Sequence, residues 1–218
     1  MIAPLTPMLA TLGSLASLSP DATWRLEGKW DGVRAVAAID DGELVVRSRT
    51  DRDITTTYPE LRELPGLLAN RPVTLDGEIV AFDSEGRTNF GLLQQRLGLS
   101  GTAVQRVQQV VPVTYLVFDV LTLDGEPLLD MAYDQRREVL DGLRIAGEHC
   151  RVPEQLHGTP ADVFARTKAN GWEGMIAKRS DSRYLPGQRS SAWIKVKNER
   201  TSKSPLSAGS PARDAAKG

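Results

Sequence analysis

The most informative stretch of this sequence is Glu27-Gly28-Lys29-Trp30-Asp31-Gly32-Val33-Arg34. Its Asp-Gly pair predicts a tight turn, because both residue types tolerate turn conformations. One interpretation is a surface turn flanked by solvated charges. The other is a reactive lysine, because a lysine becomes a nucleophile when burial or neighbouring cations lower its pKa and leave it neutral.

The residues that follow this stretch predict a β-hairpin. Residues 32–39 are rich in strand formers, residues 40–42 (Asp-Asp-Gly) suit the turn, and residues 43–47 run back. Apolar runs predict further strands at residues 73–82, 113–121, 175–178 and 193–197. The first of these is either a strand pair or one strand broken at Asp76-Gly77. The second is nearly continuously apolar, which is typical of a buried strand.

Helical spacing marks four other segments, at residues 59–68 (interrupted at Pro65), 90–97, 133–143 and 160–170. The helix at 133–143 is predicted to carry its charges on one side. The helix at 160–170 is predicted to begin after an N-cap at Thr159 and to stop at Gly171. Strands and helices are mixed without regular β-α-β alternation, so the predicted fold class is α+β with antiparallel sheets.

Length and composition set further limits. The 218 residues are 40% hydrophobic and 25% charged, and one cysteine and two histidines in no metal-binding pattern disfavour disulfide frameworks, zinc enzymes and histidine triads. The sequence has no 18-residue apolar run and no basic N-terminal signal, so we expect a cytoplasmic protein with no membrane partner. The net charge is −1, but residues 199–218, rich in Ser, Ala and Pro, predict a disordered basic tail.

Several residues could carry chemistry, each with a plainer alternative. Lys195 and Lys197 share one face of a predicted strand, and they form either a solvated face or, beside Lys29, a clamp for a phosphate chain. Glu78 and Glu173 each lie near a glycine at a predicted strand end, where they are either turn charges or oxygen ligands for Mg²⁺.

Two more residues have the same double interpretation. Phe118, in the predicted buried strand, is either a core aromatic or a platform on which a base stacks. Arg49, directly after the hairpin, is either a phosphate clamp or a solvated arginine.

The order of these motifs is more specific than any one of them. Along the chain come Lys29-x-Asp-Gly-x-Arg34, Ser48-Arg49, Asp76-Gly77-Glu78, Phe118-Asp119, Glu173-Gly174 and Lys195-x-Lys197. They resemble motifs I, Ia, III, IIIa, IV and V of the covalent nucleotidyltransferases, the superfamily of ATP-dependent DNA ligases, RNA ligases and mRNA capping enzymes. The sequences of residues 7–10, 27–32, 118–125 and 172–179 look closest to those of DNA ligases. Among DNA ligases, the chain looks most like the ligase module of bacterial non-homologous end-joining ligases. The resemblance covers about residues 4–198.

The resemblance implies an ATP-grasp-like adenylation domain, in which antiparallel sheets flanked by helices enclose a nucleotide cleft. It places this domain at residues 1–198, ahead of the tail at 199–218. By analogy Lys29 attacks the α-phosphate of ATP, expels pyrophosphate and holds AMP as a phosphoramide. The family then passes AMP to a DNA 5′-phosphate and seals the nick, so the implied function is ATP-dependent DNA ligation in DNA repair.

The matched positions imply a role for each residue toward the nucleoside. Glu27 holds the adenine amino group, and Phe118 and Met175 lie on the two faces of the base. Gly28 belongs to the same nucleotide-binding motif as Glu27. Arg34 holds the ribose.

The remaining matches concern the ribose, the phosphates and a metal. Glu78 matches a ribose contact that is also a metal candidate, and Glu173 matches the metal carboxylate. Lys195 and Lys197 match the pair on the α-phosphate, and Arg49 matches a residue near the nucleotide and the nick phosphate. The implied cofactors are ATP and Mg²⁺ or Mn²⁺, and the implied partner is nicked or broken duplex DNA.

Two departures from the family pattern stand out. Asp51 takes the place where the family often has glycine, and aspartate enters left-handed backbone less freely. The chain also ends about 20 residues after motif V, whereas the family's DNA ligases continue into an OB-fold domain. We therefore expect no OB-fold domain, weak DNA binding and slow self-adenylation, with end-joining proteins or a separate OB-fold chain as candidate protein partners.

Other functions stay open at this point. An RNA ligase or capping-type nucleotidyltransferase would share the motifs, and covalent labelling with a nucleotide panel separates them because capping enzymes take GTP. A non-catalytic accessory protein that binds nucleotides or DNA ends is the alternative outside the enzymes.

Overall fold

The computed structural model describes residues 5–198, so the predicted tail at 199–218 lies outside the described residues. The strands of this part are β1 (Leu9–Gly13), β2 (Trp24–Gly28), β3 (Val33–Asp40), β4 (Glu43–Ser48), β5 (Val73–Val80), β6 (Thr114–Leu123), β7 (Glu126–Pro127), β8 (Cys150–Arg151), β9 (Gly174–Arg179) and β10 (Arg189–Lys197). Its α-helices are α1 (Leu64–Leu67), α2 (Phe90–Leu93), α3 (Thr102–Val107), α4 (Tyr133–Gly142) and α5 (Pro160–Ala169). The predicted α+β class is confirmed.

Two mainly antiparallel sheets form the frame. The first has the strand order β1-β10-β9-β2, and the second has the order β4-β3-β5-β6-β7 with β8 paired to β6. Two pairs depart from the expected antiparallel arrangement, since β1 runs parallel to β10 and β8 runs parallel to β6. In both pairs the strands are far apart in the chain, so no tight hairpin dictates their direction.

The second sheet confirms the predicted hairpin and settles the alternatives for the following strand. Strands β3 and β4 pair antiparallel from Ala35 opposite Ser48 to Asp40 opposite Glu43. Strand β5 runs unbroken through Asp76-Gly77, and the irregularity lies instead in its register with β6. The sheet therefore places β3, β5 and β6 side by side, so that alternate side chains of the three strands share one face.

The helix ends follow the sequence signals. The hydroxyl oxygen of Thr159 accepts a hydrogen bond from the N–H of Asp162 (3.2 Å), which confirms the predicted N-cap of α5. Gly171 follows with φ +67°, a left-handed conformation that suits glycine. The helical run predicted at residues 59–68 is divided next to Pro65, as expected. Residues 59–63 form a 3-10 helix, and α1 begins at Leu64 with Pro65 in its first turn, where its missing N–H is not needed.

Helix α4 differs from its prediction, because its charges are not all on the solvent side. Arg136 and Arg137 are buried. Arg136 donates to both carboxylate oxygens of the buried Asp119 (2.8 and 3.0 Å). A buried charge is tolerated when it is paired in this way, so α4 is anchored to β6 by an ion pair as well as by apolar contacts.

Three apolar clusters hold these layers together. The largest lies between the second sheet and its helices and includes Leu61, Leu64, Leu75, Val117 and Leu140. Another packs α5 against the first sheet through Leu26, Val163, Met175, Ala177 and Val196. A third joins the two sheets through Met8, Leu121, Tyr184 and Trp193. Beside this junction the inner faces of the sheets form a cleft. None of the helices within residues 5–198 is long and apolar enough to cross a membrane.

Candidate active site

Lys29 follows β2 directly, at a point where the ends of three strands meet. Its N–H donates to the carbonyl of Gly174 (3.0 Å), the first residue of β9. Gly174 has φ +148°, and a Cβ there would lie 2.1 Å from the carbonyl oxygen of Val196 in β10. Glycine alone fits this position, so the Glu-Gly motif brings Lys29, Glu173 and the end of β10 together.

Glu173 lies between two lysines. Lys29 Nζ makes a short ion pair with Glu173 Oε2, and Lys197 Nζ lies 3.0 Å from Oε1. Burial would raise the pKa of Glu173, but the hydrogen bonds and charges of the two lysines outweigh burial and lower it. The side chain of Lys29 is 19% exposed. The structure thus holds Lys29 against a carboxylate while leaving it open to the cleft.

Two tryptophans flank this ion pair. Trp30 and Trp172 are the chain neighbours of Lys29 and Glu173, and their ring centroids lie 5.1 Å apart. A Cβ on Gly28 would lie 2.8 Å from the ring of Trp30, so the glycine makes room for the pair. Gly28 therefore supports the position of Lys29 through packing.

A cavity of about 200 Å³ opens beside Lys29. We call it the cation cavity, and it is lined by Leu9, Ala10, Lys29, Trp30, Arg34, Arg49, Glu78, Ile176, Arg189 and Lys195. Five of these ten residues are basic and one is acidic, which suits a phosphate chain. Burial, with the charges of Arg189, Lys197 and Lys29, lowers the pKa of Lys195. Sequence reasoning missed Arg189, because it lies outside the strand predicted at residues 193–197 and the register of β10 with β1 is irregular between Ser190 and Ile194.

Arg34 lies between the cation cavity and the ring of Phe118. Its Nε and Nη2 donate to the two carboxylate oxygens of the buried Asp76 (2.6 Å each), and the hydroxyl of Tyr184 donates to the same carboxylate (2.5 Å). Burial works against the charge of Arg34, but Asp76 outweighs it and the pKa of Arg34 is raised. The Arg34 guanidinium lies 4.5 Å from the centroid of the Phe118 ring. Arg34 is therefore a fixed cation at the inner wall of the cavity.

Glu78 is the acidic residue of the cation cavity. It lies opposite Arg34 in the pairing of β5 with β3. Burial raises the pKa of Glu78 to about 7, against the opposing effect of Arg34 and Lys29. Its carboxyl group therefore changes charge near neutral pH.

Glu27 and Phe118 lie deeper in the cleft and do not line the cation cavity. Lys178 Nζ lies 2.9 Å from Glu27 Oε2, and the hydroxyl of Tyr133 donates to Glu27 Oε1 in a short hydrogen bond. Phe118 is 6% exposed, and its ring centroid lies 4.6 Å from Lys178 Nζ. We call Glu27, Phe118, Tyr133 and Lys178 the buried cluster. Sequence reasoning missed Lys178 and Tyr133, which lie outside the positions assigned from the motifs.

Met175 does not face the cleft as expected. In the register of the first sheet it lies between Val196 and Gly28, and its fully buried side chain packs in the cluster under α5. Its neighbour Ile176 points the other way, because side chains alternate along a strand. Ile176 lines the cation cavity, so on this strand the cleft-facing side chain is that of Ile176, whereas Met175 packs on the opposite side.

The predicted metal residues form a limited donor set. No group of three or more His, Cys, Asp or Glu side chains suited to a metal occurs among residues 5–198. Glu173 is, however, close enough to Glu78 for its charge to help raise the pKa of Glu78. Their hard oxygens fit Mg²⁺, which normally completes its shell with waters and substrate phosphates.

Asp51 confirms the backbone requirement inferred at its position. It has φ +61°, a left-handed conformation, and its N–H donates to the carbonyl of Ser48 (2.9 Å). Arg47 Nη1 lies 3.3 Å from Asp51 Oδ1. The turn that presents Arg49 to the cation cavity is therefore built with an aspartate in a conformation that favours glycine.

Comparison with known proteins places this geometry in a family. Residues 7–197 match the family described as the ATP dependent DNA ligase domain. The chain is 44% identical over 197 residues to the multifunctional non-homologous end joining DNA repair protein LigD of Mycobacterium tuberculosis, covering 90% of this chain and 24% of LigD. It is 36% identical to a probable DNA ligase of Streptomyces coelicolor, covering 88% of this chain and 39% of that protein.

Solved structures give the same result. The crystal structure of the ligase domain of M. tuberculosis LigD matches with a TM-score of 0.75 and 44% identity, covering 88% of this chain and 60% of that one. A mycobacterial DNA ligase D complexed with ATP and MES matches with a TM-score of 0.76 and 43% identity, with the same coverage. The chain spans about a quarter of the length of LigD. With these matches and the motif residues gathered in one cleft, the chain belongs to the family of ATP-dependent DNA ligase domains.

Proposed function

We propose that this domain carries out the nucleotidyl transfer of an ATP-dependent DNA ligase. The main support for the proposal is the position of Lys29, whose side chain lines the cation cavity while its Nζ contacts Glu173. The relative solved with ATP supports ATP as the nucleotide. The relatives reported above are named DNA ligases, which favours DNA over the RNA ligase, capping and non-catalytic alternatives.

The first step forms a bond between Lys29 Nζ and the α-phosphorus of ATP. The lysine must first give up a proton, which can leave to solvent through the open cleft, while Glu173 holds the Nζ in position. As the P–N bond forms, the bond from the α-phosphorus to the pyrophosphate oxygen breaks, and pyrophosphate leaves. Lys195, Lys197 and Arg49 supply positive charge where the phosphates gain negative charge.

The next two steps transfer AMP and seal the nick. A DNA 5′-phosphate oxygen attacks the α-phosphorus, which breaks the P–N bond and returns Lys29. The DNA 3′-hydroxyl then attacks the adenylated 5′-phosphate and expels AMP. Arg49 and Arg189, at the wall of the cation cavity, are the candidate contacts of the nick phosphate.

The nucleoside would occupy the space beside the cavity. We propose that Phe118 stacks on one face of adenine, that Ile176 contacts the other, and that Glu27 accepts a hydrogen bond from the amino group. Arg34 would hold the ribose. Because Phe118 is 6% exposed, the side chains over its ring must move apart when the base enters.

A divalent cation fits the carboxylate end of the cavity. Glu173 and Glu78 would hold Mg²⁺ or Mn²⁺, which would supply charge neutralisation for the phosphates. The proposed substrate is nicked or broken duplex DNA, and end-joining proteins or an OB-fold chain are the candidate partners. The cytoplasmic location expected from the sequence stays a prediction.

Covalent labelling tests the proposal directly. The chain is incubated with α-labelled ATP and Mg²⁺, denatured and examined for bound label. We expect label that survives denaturation and is lost in acid, as a phosphoramide is. Adding nicked DNA with a 5′-phosphate should then discharge the label and produce sealed strands.

Two variants fix the assignment of the nucleophile. Lys29→Ala should take up no label, whereas Lys168→Ala, at an exposed position of α5, should label like the parent. Labelling that persists in folded Lys29→Ala would overturn the proposal.

A further inference from the structure

The carboxylate of Glu27 is held by two donors from different elements. Lys178 of β9 lies 2.9 Å from Oε2, and Tyr133 of α4 donates to Oε1. Gln155 Nε2 in turn donates to the Tyr133 hydroxyl oxygen (2.9 Å). A hydroxyl has one proton, and because Gln155 occupies the oxygen as a donor, the proton of Tyr133 goes to Glu27.

Lys178 cannot easily leave this arrangement. Its Nζ lies 4.6 Å from the Phe118 ring centroid, 4.4 Å from that of Trp193 and 4.9 Å from that of Tyr133. It also donates to the carbonyl of Phe118 (3.3 Å), and the residue is 1% exposed. A cation boxed in by three rings and a carbonyl keeps its position, and it therefore fixes Glu27 Oε2.

Both partners of Glu27 are hydrogen-bond donors, and this determines which hydrogen bonds its carboxylate can still make with a ligand. Each carboxylate oxygen can accept two hydrogen bonds, so each keeps acceptor capacity beyond its described partner. With donors on both oxygens, Glu27 is held as a hydrogen-bond acceptor. A ligand group that donates is favoured at such a site, and one that only accepts is rejected.

We propose that Lys178 and Tyr133 are positioning residues that set the base selectivity of self-adenylation by fixing Glu27 as an acceptor. They favour a purine with an amino group at position 6 over a purine that has a carbonyl or a hydrogen there. The inference rests on the proposed function, and it goes beyond it by assigning selectivity to two residues that do not touch the base.

The experiment compares three nucleotides, four single substitutions and two double variants. Self-labelling is measured against the concentration of ATP, GTP and purine riboside triphosphate, which lacks the amino group. We expect Tyr133→Phe and Lys178→Met to reduce the preference for ATP over purine riboside triphosphate by about tenfold, the size of one charge-assisted hydrogen bond. The half-saturating ATP concentration should rise while the maximal rate changes little. In a Glu27→Gln background the same substitutions should add nothing, because the two residues act through Glu27.

A matched control separates selectivity from stability. Tyr115→Phe also removes a buried hydroxyl, one whose single proton is shared between the carbonyls of Ala35 (3.0 Å) and Leu75 (3.1 Å) in the second sheet. It should lower the thermal midpoint and leave nucleotide preference intact. If Lys178→Met does not fold, Tyr133→Phe decides.

The possible results distinguish failure of the proposed function from failure of the selectivity proposal. A parent chain that takes up no label from any nucleotide would overturn the proposed function, and this inference with it. A parent that labels and prefers ATP, with folded Tyr133→Phe retaining the full preference, would overturn the inference alone.

Discussion

The cation cavity and the buried cluster are neighbours in one cleft, but they are built in opposite ways. The cavity draws its charges from strand ends and a turn, and basic residues outnumber acidic ones five to one. In the buried cluster Glu27 and Lys178 are 4% and 1% exposed and neutralise each other. One region carries surplus charge around an open cavity, whereas the other carries balanced charge in the interior.

The difference in charge indicates that the two regions have different roles in binding and catalysis. Surplus positive charge attracts any phosphate chain and stabilises charge that develops on it. A balanced buried pair adds little attraction, but it orders donors and acceptors and so discriminates between ligands. We therefore expect changes in the cavity to alter rates and changes near the buried cluster to alter which nucleotide binds.

The largest effect is expected from Lys195→Ala. Removing one charge that stabilises the reacting phosphate should slow self-adenylation at saturating ATP by about 100-fold or more. Single-turnover labelling measures this rate, and Lys168→Ala serves as the control for loss of an exposed lysine. A change of less than about threefold would show that Lys195 does not act on the reacting phosphate.

A smaller effect, confined to the base, is expected from Phe118. Phe118→Leu keeps most of the buried volume but removes the aromatic face, so ATP should bind more weakly by about 1–3 kcal/mol. Inorganic tripolyphosphate, which has no base, should bind equally to the variant and the parent. Calorimetric titration of both ligands checks the comparison. Equal losses for the two ligands would mean that Phe118 supports the cavity and does not stack on the base.

Elements that depend on residues close together in the chain could be predicted from the sequence, whereas pairings between distant segments could not. The hairpin of β3 and β4 and the N-cap of α5 follow from neighbouring residues and were predicted. Strands β1 and β2 and helix α3 were not, because they are short and carry no clear periodic signal. Parallel pairing of β1 with β10 joins opposite ends of the described chain, and no local pattern encodes it.

The same holds for the side chains of the site: residues within sequence motifs could be predicted, and residues that matter through contacts across the fold could not. Motif order led to Lys29, Arg34 and Lys195, and the structure brings all three to one cavity. Met175 was expected to face the cleft but packs under α5, because motif matching does not state which face a residue occupies. Lys178 and Tyr133 were missed because their importance arises from contact with Glu27 across the fold.

Glu78 provides a pH-dependent test at the edge of the cavity. Its pKa of about 7 lies above its ordinary value of 4.5. The associated stability is fully present below pH 4.5 and is lost as pH rises through 7, because the folded state favours the protonated carboxyl. Glu78→Gln stays neutral, so its advantage in unfolding free energy over the parent should grow by about 1–2 kcal/mol between pH 5 and pH 8. Denaturant unfolding at both pH values measures it, with the exposed Glu126→Gln as control. An advantage that shrinks with pH would contradict the raised pKa.

The smallest effect concerns the turn that presents Arg49 to the cavity. Asp51 has φ +61°, where a residue with a Cβ is less stable than glycine by about 1 kcal/mol. Its exposed ion pair with Arg47 contributes about 0–1 kcal/mol and is lost in any neutral substitution. Asp51→Gly and Asp51→Ala both lose that pair, so their difference isolates the backbone. We expect the glycine variant to be the more stable by about 1 kcal/mol in urea unfolding. In the middle of α5 the order should reverse, with Ala165→Gly less stable than the parent by a similar amount. If Asp51→Ala is instead the more stable of the two variants, the turn relaxes out of the left-handed conformation. Arg49 is then presented by a flexible segment of the cavity wall.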